Sequence, residues 1–244
     1  MKSMKMLINS RGKKFLVRDF NSDFHTQFGF FRKDDLKKKS GSRILSNTKS
    51  EFTIFEPCFI DLYRKIKRGA QIIPLKDIGA IIAETGINSK SRVVDAGSGS
   101  GALACFLANI AKEVVTYEIR EDFIKIVEHN IDFLNLKNIK IKNKNIYGGI
   151  DEKNADLITL DLPEPWKVLE NAKKALKVGG FLVSYSPTIP QVMDFVDKAR
   201  ELNDFVYVKT SEIIEREWEI EERKVRPKSQ PMGHSGFMTF IRKI

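Results

Sequence analysis

Two patterns of hydrophobic positions divide the chain. Before residue 58, short apolar runs alternate with turn residues, which predicts strands and a small antiparallel barrel or meander. From residue 91 onward, strand-like runs alternate with helix-like runs, which is typical of a doubly wound, mostly parallel sheet covered by helices. We therefore predict an α/β protein with two domains, a small β domain over 1–57 and a larger α/β domain over 58–244. The predicted strands of the first domain span 13–20, 26–32, 42–49 and 51–57.

Helical spacing is clearest at the start and in the middle of the second domain. Phe59, Ile60, Tyr63 and Ile66 have the spacing of one helix face, and we expect this helix to stop at Gly69. Gly86 follows a second helical run over 76–85. We expect residues 58–86 to be linking helices. A further helix is predicted from Trp166 to Lys177, with the glycine pair at 179 and 180 as its end.

Charge and composition narrow the function classes. The chain of 244 residues has a formal net charge of +10, and the first 76 residues hold 18 Lys and Arg against 7 Asp and Glu. Such segregation favours a polyanion such as nucleic acid as partner, although a solvated lysine-rich surface would give the same pattern. No apolar stretch is long enough for a membrane span, and two distant cysteines indicate neither a disulfide framework nor a metal site. We expect a cytoplasmic protein without secretory signal, membrane contact or metal.

A glycine-rich turn follows the first strand of the second domain. Glycines at a strand-to-helix turn let backbone N–H groups approach a ligand, and this spacing also satisfies the relaxed fingerprint of NAD enzymes. Asp95 precedes the glycines, where it would repel a pyrophosphate but suits the cationic amine of S-adenosylmethionine. Glu118 ends the next strand, where a carboxylate can accept ribose hydroxyls; a turn cap and a surface charge are the alternatives. The residues of the turn are Gly97, Ser98, Gly99, Ser100 and Gly101.

A second motif, Asp161-Leu-Pro-Glu-Pro-Trp166, follows the apolar run 157–160. This places Asp161 at the carboxyl end of a central strand, the edge where open α/β sheets bind ligands. The prolines stiffen the loop, and Trp166 offers a flat apolar wall. A simple strand-to-helix turn with Asp as cap and Pro at the first helical position is the alternative.

Several motifs together carry a family resemblance over nearly the whole chain. The chain resembles the tRNA (adenine-N1)-methyltransferases that modify the T-loop, and DLPEPW with the late RP…GHSGF is its most specific part. The family usually has Tyr-Pro before Lys-Asp-Ile-Gly, where Pro74-Leu75 stand here, and Thr in place of Ser235. The matching segments are 24–29, 66–73, 76–79, 95–103, 117–122, 161–170, 184–192, 216–221 and 226–237.

The resemblance implies a fold and a reaction. It implies a tRNA-binding N-terminal barrel, a class I S-adenosylmethionine-dependent methyltransferase domain, a homotetramer, and 1-methyladenosine at tRNA position 58, in some archaeal members also at 57. Because adenine N1 carries its own lone pair, no general base is needed. Attack by N1 moves positive charge toward N6, so we expect Asp161 to accept a hydrogen bond from N6–H as well as to lie beside the cofactor.

Further positions complete the expected site. Tyr185 is placed to stack on the target base, with a core aromatic as the alternative, and Asn145 is placed to contact the adenine of the cofactor, with a turn asparagine as the alternative. Arg216 and Arg226 are candidate phosphate ligands beside an acidic stretch that could pair with them. His234 is expected to be structural or to contact another subunit.

Two other functions compete with the methyltransferase. An NAD-linked Rossmann oxidoreductase would share the glycine turn, but Asp95 and the DLPEPW loop argue against it. A non-catalytic tRNA-binding subunit would be expected to lose the glycine turn or Asp161, and this chain keeps both.

Overall fold

The computed structural model describes residues 4–69, 71–229 and 233–244, so three positions of the predicted late motif, 230–232, and one of the segment 66–73 lie outside the described residues. The chain divides into two compact units, residues 1–65 and 66–244. The first helix of the 58–86 segment therefore lies in the first unit and the second helix in the other.

The first unit is built on antiparallel strands. Four of them form one sheet in the order β2-β1-β6-β5, and β3 pairs with β4 as a separate hairpin. A small β domain was predicted, and its strands pair as a sheet plus a hairpin rather than as one continuous ladder. Its elements are β1 (Lys5–Ile8), β2 (Lys14–Val17), β3 (Phe24–Thr26), β4 (Gly29–Phe31), α1 (Lys33–Leu36), β5 (Arg43–Leu45), β6 (Glu51–Phe55) and α2 (Phe59–Tyr63).

Apolar side chains from both sheets share one core. Leu7, Val17 and Phe52 are buried in it, and the rings of Phe31 and Phe52 meet edge to face with centroids 5.2 Å apart. Such aromatic pairs add to the stability that apolar burial supplies. Two expectations were wrong here. The single strand predicted over 26–32 belongs to a hairpin that turns at residues 27–28, and the helix from Phe59 ends at Tyr63 rather than near Gly69.

The second unit contains a seven-stranded sheet in the order β12-β15-β11-β10-β7-β8-β9. The five strands β11, β10, β7, β8 and β9 run parallel to their neighbours in the sheet. Strand β15 runs antiparallel to both β11 and β12. This is the mostly parallel sheet that the alternating pattern predicted. The strands are β7 (Arg92–Ala96), β8 (Glu113–Glu118), β9 (Ile139–Asn143), β10 (Ala155–Leu160), β11 (Leu176–Ser186), β12 (Phe205–Ser211) and β15 (Phe237–Lys243).

The strand order reverses between β7 and β10. The chain moves outward from β7 through β8 to β9 and then returns to place β10 on the other side of β7. Loops leaving the two strands at such a reversal diverge and leave a crevice at their carboxyl ends. The glycine turn follows β7, and Asp161 follows β10, so both predicted motifs lie at this crevice.

Among the described residues of the second unit, five α-helices accompany this sheet, and one of them differs from its prediction. The helix predicted over 166–177 begins as a 3-10 turn, Pro165–Val168, and its α-helical part ends at Ala175. Leu176 adopts extended backbone angles and pairs with Ala155, so residues 176–180 belong to β11 rather than to the helix. The helices are α3 (Leu75–Thr85), α4 (Ala102–Ala108), α5 (Glu121–Leu134), α6 (Leu169–Ala175) and α7 (Ile189–Glu201).

A hairpin of β13 (Trp218–Glu221) and β14 (Lys224–Pro227) forms its own two-stranded sheet. Its register pairs Trp218 with Pro227 and Ile220 with Val225, so these apolar side chains share one face. Glu219 and Arg226 lie on the other face and form an ion pair. The hairpin is therefore amphipathic.

No helix in the described part of the chain is both long and apolar enough to cross a membrane.

Candidate active site

A pocket of about 450 Å³ opens at the carboxyl ends of the central strands. Gly97 and Gly99 follow β7, Glu118 ends β8, and Asp161 follows β10; all of them line it, together with Asn145 from the loop after β9. A smaller adjoining cavity of about 30 Å³ shares Gly97, Gly99 and Asp161 with this pocket. It adds Asp95, Ser98 and Ser100 to the lining. The structure therefore brings together eight of the nine residues predicted to hold the cofactor.

The remaining one, Gly101, shapes the loop from behind. It caps α4 with a positive φ of +72°, and a Cβ there would lie 3.0 Å from the Val127 side chain. Gly97 is tighter, because it has a φ of +82° and a Cβ on it would lie 2.0 Å from the carbonyl oxygen of Asp161. Glycine is required at this position, since it lets the loop after β7 pass directly against the loop after β10.

Asp95 is buried between two threonines. Thr116 on β8 donates a hydrogen bond of 2.6 Å to Oδ2 of Asp95, and Thr159 on β10 donates one of 2.7 Å to Oδ1. Burial raises the pKa of Asp95, while these two hydrogen bonds act in the opposite direction. The threonines fix the orientation of the carboxylate and leave further acceptor capacity on each oxygen.

The two threonines were not predicted, although the sequence carries a signal for them. The strand ends read Val-Val-Asp95, Val-Val-Thr116 and Ile-Thr159, and the parallel register places both threonines directly opposite Asp95. A polar residue inside a buried apolar strand needs a partner. The buried polar residues of three neighbouring strands, each one or two positions before the end of its strand, could therefore have been matched.

Glu118 is held by backbone N–H groups. Its Oε2 accepts from Gly99 at 3.1 Å, and its Oε1 accepts from Ile119 at 2.9 Å and Arg120 at 3.1 Å. A carboxylate offers about four acceptor positions. One position, on Oε2, thus stays open for a ligand hydroxyl, where the sequence argument had expected room for two.

Asn145 caps a turn, as the alternative interpretation expected, and it also lines the large pocket. Its Oδ1 accepts a hydrogen bond of 3.0 Å from the backbone N–H of Tyr147 and so caps the 3-10 turn Ile146–Gly148, while the residue also lines the large pocket. The turn function fixes the side chain at the pocket wall.

The side chains of the two serines in the glycine turn form hydrogen bonds with neighbouring protein groups. The Ser98 hydroxyl lies 2.5 Å from that of Thr116 and 3.0 Å from the carbonyl oxygen of Tyr117. The Ser100 hydroxyl accepts from the N–H of Gly69. Asn130, fully buried on α5, donates to the Ser100 carbonyl oxygen and exchanges hydrogen bonds with the backbone of Lys67. Sequence reasoning missed Asn130, which ties the segment before α3 to the glycine turn.

Asp161 faces the pocket with its carboxylate. The side chain keeps solvent-exposed surface toward the open space, but the walls enclose it closely enough that burial, together with the negative charge of Asp95, raises its pKa to about 7. Its backbone N–H donates to the Ala96 carbonyl oxygen, which continues the β7–β10 pairing by one residue. The carboxyl group therefore titrates near neutral pH.

Tyr185 and Trp166 are more buried than expected. Only 8% of Tyr185 is exposed, and its hydroxyl donates a hydrogen bond of 3.0 Å to the buried Asp77. Trp166 packs against the core of the second unit and does not line either pocket. The apolar lining of the large pocket comes instead from Ile119, Phe123, Ile146, Leu162 and Pro163.

The two predicted phosphate ligands are not part of the pocket lining. Arg226 lies on the charged face of the β13–β14 hairpin, 3.0 Å from Glu219, which is the paired surface that was weighed as the alternative. Arg216 is exposed just before this hairpin. His234 lies 2.6 Å from Glu212 and 2.9 Å from the Pro187 carbonyl oxygen through its two ring nitrogens. Glu212 and this carbonyl raise the pKa of His234.

Comparisons with known proteins agree with this site. A family model described as the tRNA methyltransferase complex GCD14 subunit matches residues 61–233. The tRNA (adenine(57)-N(1)/adenine(58)-N(1))-methyltransferase TrmI of Methanocaldococcus jannaschii is 37% identical, over 98% of this chain and 94% of that protein.

Two solved structures extend the similarity to the fold. A SAM-dependent O-methyltransferase from Thermotoga maritima has a TM-score of 0.89 and 30% identity, over all of this chain and 93% of that one. The tRNA (m1A58) methyltransferase TrmI from Aquifex aeolicus has a TM-score of 0.84 and 27% identity, over all of this chain and 97% of that one. These matches confirm the class I methyltransferase fold that the resemblance implied. The chain belongs to the GCD14 family of tRNA methyltransferases, as the resemblance in its motifs predicted.

Proposed function

We propose that this protein transfers a methyl group from S-adenosylmethionine to N1 of an adenosine in the T-loop of tRNA, at position 58 and also at 57. The observation that carries the proposal is the carboxylate of Asp161 at the mouth of a pocket formed by the reversal of strand order, in a chain of this family. The 37%-identical relative that is named for both positions supports the inclusion of 57.

The residues around the pocket fit the cofactor. Gly97 leaves no room for a side chain at the closest loop approach, Glu118 has an open acceptor position for a hydroxyl, and the buried Asp95 offers negative charge. Asn145 and the apolar side chains of Ile119 and Leu162 provide a wall for a base. When bound, S-adenosylmethionine supplies an electrophilic methyl group on a sulfonium.

Asp161 is the residue that we assign to the acceptor base. In its ionised form it accepts a hydrogen bond from the exocyclic N6–H of adenine, and it stabilises the positive charge that develops there as N1 is alkylated. A preorganised charge in an enclosed pocket acts more strongly than the same charge in water. No group has to remove a proton before N1 reacts.

The target base has to reach this pocket from a folded T-loop. Extrusion of a base costs roughly a few kcal/mol, which contacts on the protein have to offset. We assign this task to Tyr185, which lies near the end of β11, the strand next to β10, and to the basic first unit. This unit holds 15 Lys and Arg against 7 Asp and Glu in residues 1–65. Arg216 and Arg226 remain candidate contacts to tRNA phosphates outside the pocket.

The two competing functions fit less well. An NAD-linked oxidoreductase would have to accommodate a pyrophosphate beside the buried Asp95, with no compensating cation among the described residues that line the smaller cavity. A non-catalytic subunit would not need the open carboxylate of Asp161. Because the substrate is tRNA, we also propose that the protein acts in the cytoplasm.

A homotetramer is part of the proposal. Trp218, Ile220 and Val225 share one face of the β13–β14 hairpin and are each more than half exposed. Burial of such a face against another copy of the chain would remove apolar surface from water. Light scattering on the purified protein decides the number of subunits, and a monomer would refute this part.

The experiment that tests the activity incubates the protein with S-adenosylmethionine and an unmodified tRNA transcript. The RNA is then digested to nucleosides for mass spectrometry. We expect 1-methyladenosine. Binding of tRNA without any methylated nucleoside would favour the non-catalytic subunit, and binding of NADH in place of S-adenosylmethionine would favour the oxidoreductase.

A further inference from the structure

A buried polar cluster joins three segments, and the proposed function uses only the one that contains Tyr185. Lys76 and Asp77 lie in the first turn of α3, Tyr185 lies near the end of β11, and Ser235 lies just before β15. The Asp77 side chain is fully buried, and 6% of the Lys76 side chain is exposed. We call Lys76, Asp77, Tyr185 and Ser235 the Asp77 cluster.

Three donors converge on the carboxylate of Asp77. Lys76 Nζ donates to Oδ1 at 2.7 Å, while the Ser235 hydroxyl and the Tyr185 hydroxyl donate to Oδ2 at 2.8 Å and 3.0 Å. Lys76 Nζ also donates to the Ser235 oxygen at 2.6 Å. Because a carboxylate only accepts and an ammonium only donates, the hydroxyl groups of Ser235 and Tyr185 are the donors in their bonds to Asp77. The Tyr185 hydroxyl is therefore fixed as a donor to Asp77.

The ring of Tyr185 is also held along its edge. A Cβ on Gly236, the residue after Ser235, would lie 2.5 Å from two ring carbons of Tyr185, so the ring packs directly against that backbone. One residue before Ser235, His234 bonds to the carbonyl oxygen of Pro187, two residues beyond Tyr185. The segment 233–236 thus holds the end of β11 at three points.

The cluster lies directly behind the proposed acceptor site. In the parallel pairing of β10 and β11, Leu160 is opposite Ser184, so the next residues, Asp161 and Tyr185, leave neighbouring strands at the same sheet edge. Burial is the main cause of the raised pKa of the Tyr185 hydroxyl, and the nearby charges of Asp77 and Asp161 add to it. A change in the orientation of Tyr185 would therefore alter the wall beside Asp161.

Stability alone is a weak reason for such a cluster. The desolvation of a buried ion pair can exceed its Coulombic gain, and apolar side chains of similar volume are often equally stable or more stable. A buried ion pair does, however, orient its hydrogen-bond partners, and it does so here for the one aromatic ring at the end of β11.

We propose that Asp77, held by Lys76 and Ser235, is a positioning residue that fixes the Tyr185 ring beside Asp161 and so orients the target adenine for methyl transfer. The inference rests on the proposed function for its effect on turnover. The immobilisation of Tyr185 by Asp77 does not depend on which reaction the protein catalyses, and it can be tested separately.

The first test is a double-mutant cycle on turnover with Asp77→Asn and Tyr185→Phe. Tyr185→Phe removes the hydroxyl donor, and Asp77→Asn removes the charge and one of the two acceptor oxygens for which Lys76, Ser235 and Tyr185 then compete. Both variants keep side-chain size. We expect each to lower kcat by about 10- to 100-fold, with the dissociation constant of S-adenosylmethionine unchanged within about twofold. Because both act on the same interaction, the double variant should lose no more than about the larger single loss. Losses that multiply, or an unchanged kcat in folded Asp77→Asn, would overturn the proposal.

Two further variants separate positioning from folding. Ser235→Thr keeps the hydroxyl and should retain kcat, whereas Ser235→Ala should lower it. Asp156→Asn is the matched control, because Asp156 is a lysine-paired carboxylate at the other end of β10. It should leave kcat unchanged. Equal losses in Asp156→Asn and Asp77→Asn would show a general effect on stability and overturn the positioning role.

The second test does not depend on activity. Fluorine NMR of protein labelled with 3-fluorotyrosine follows the five tyrosines, and Tyr185→Phe assigns the signal of interest. We expect a restricted Tyr185 ring in the wild type, and a shifted, motionally averaged signal in Asp77→Asn. An unchanged signal would overturn the inference even if methylation proceeds. A changed signal without any methylation would uphold the positioning and refute the proposed function.

Discussion

Asp161 is the residue to which we assign the main electrostatic contribution to the proposed reaction. Replacement by Ala removes the carboxylate that we assign to N6–H and should lower turnover by about 100- to 1000-fold, the size seen when one preorganised charge-stabilising group is lost. Binding of S-adenosylmethionine and tRNA should persist, because the other pocket residues keep their contacts. Single-turnover methylation and calorimetry measure the two effects separately. Unchanged turnover would refute the role of Asp161.

The raised pKa of Asp161 also predicts how activity depends on pH. A carboxyl group with a pKa of about 7 is largely protonated below that value, and only the anion can accept a hydrogen bond at both oxygens. Therefore kcat/KM for tRNA, which reports the free enzyme, should rise as pH increases through about 7 and then level off. The residual activity of Asp161→Asn should lack this step. A rate that falls over the same range would contradict the assignment.

At the scale of elements, the glycine turn after β7 determines whether the pocket can form. Gly97→Ala introduces a Cβ that meets the carbonyl oxygen of Asp161, in addition to the strain of a positive φ. We expect this variant to lose binding of S-adenosylmethionine by calorimetry. Gly86→Ala is the matched control, because Gly86 also has a positive φ, +63°, but no atom lies near its missing Cβ.

Gly86→Ala should lower the free energy of unfolding by about 1–2 kcal/mol, because it introduces only conformational strain. It should bind S-adenosylmethionine as well as the wild type does. Comparing the thermal unfolding of both variants separates the effect of backbone strain from the effect of the steric clash with Asp161. If Gly86→Ala and Gly97→Ala lost binding equally, the close approach of the two loops would not be what requires glycine at position 97.

Elements with a strong local signal could be predicted from the sequence. The apolar runs that end at Asp95, Glu118 and Asp161 are strands whose ends meet at one edge of the sheet, because parallel neighbours share their direction. The end of α6 could not be predicted, because the sequence pattern of residues 176–180 is compatible with the end of a helix and with the start of a strand. The pairing of Leu176 with Ala155, which decides it, is a tertiary contact.

The same limit applies to the polar clusters. Asp77 lies 108 residues from Tyr185 and 158 from Ser235, and no periodicity in one sequence connects such positions. The motifs that contain Asp77 and Ser235 were identified as part of the resemblance, without a role for either residue. The burial of Trp166 likewise could not be predicted, because its sequence context is compatible with a position in the pocket wall and with packing against the core.

For the whole molecule, the basic first unit is expected to carry much of the affinity for tRNA. Arg11, Lys13 and Lys39 are exposed and have no ion pair within the described residues, so each can neutralise a phosphate and release a counterion. Their triple replacement by Gln should reduce the slope of log K against log salt by about 2. Filter binding over a series of salt concentrations measures it.

The control is the pair Lys37 and Lys38, which are ion-paired with Asp34 and Asp35. Their replacement by Gln should change the slope less, because these charges are already partly compensated. A triple variant with the slope of the wild type would show that the charge of the first unit serves solubility rather than tRNA binding.

The central claim is the chemistry and position of the methyl group. The most direct measurement uses three tRNA transcripts with S-adenosylmethionine: unmodified, with adenine 58 replaced, and with adenines 57 and 58 both replaced. Nucleoside mass spectrometry identifies the product, and reverse-transcription stops locate it. We predict 1-methyladenosine in the first transcript, reduced in the second and absent from the third. A product methylated at oxygen or at N6, or a 1-methyladenosine that survives loss of both adenines, would contradict this account.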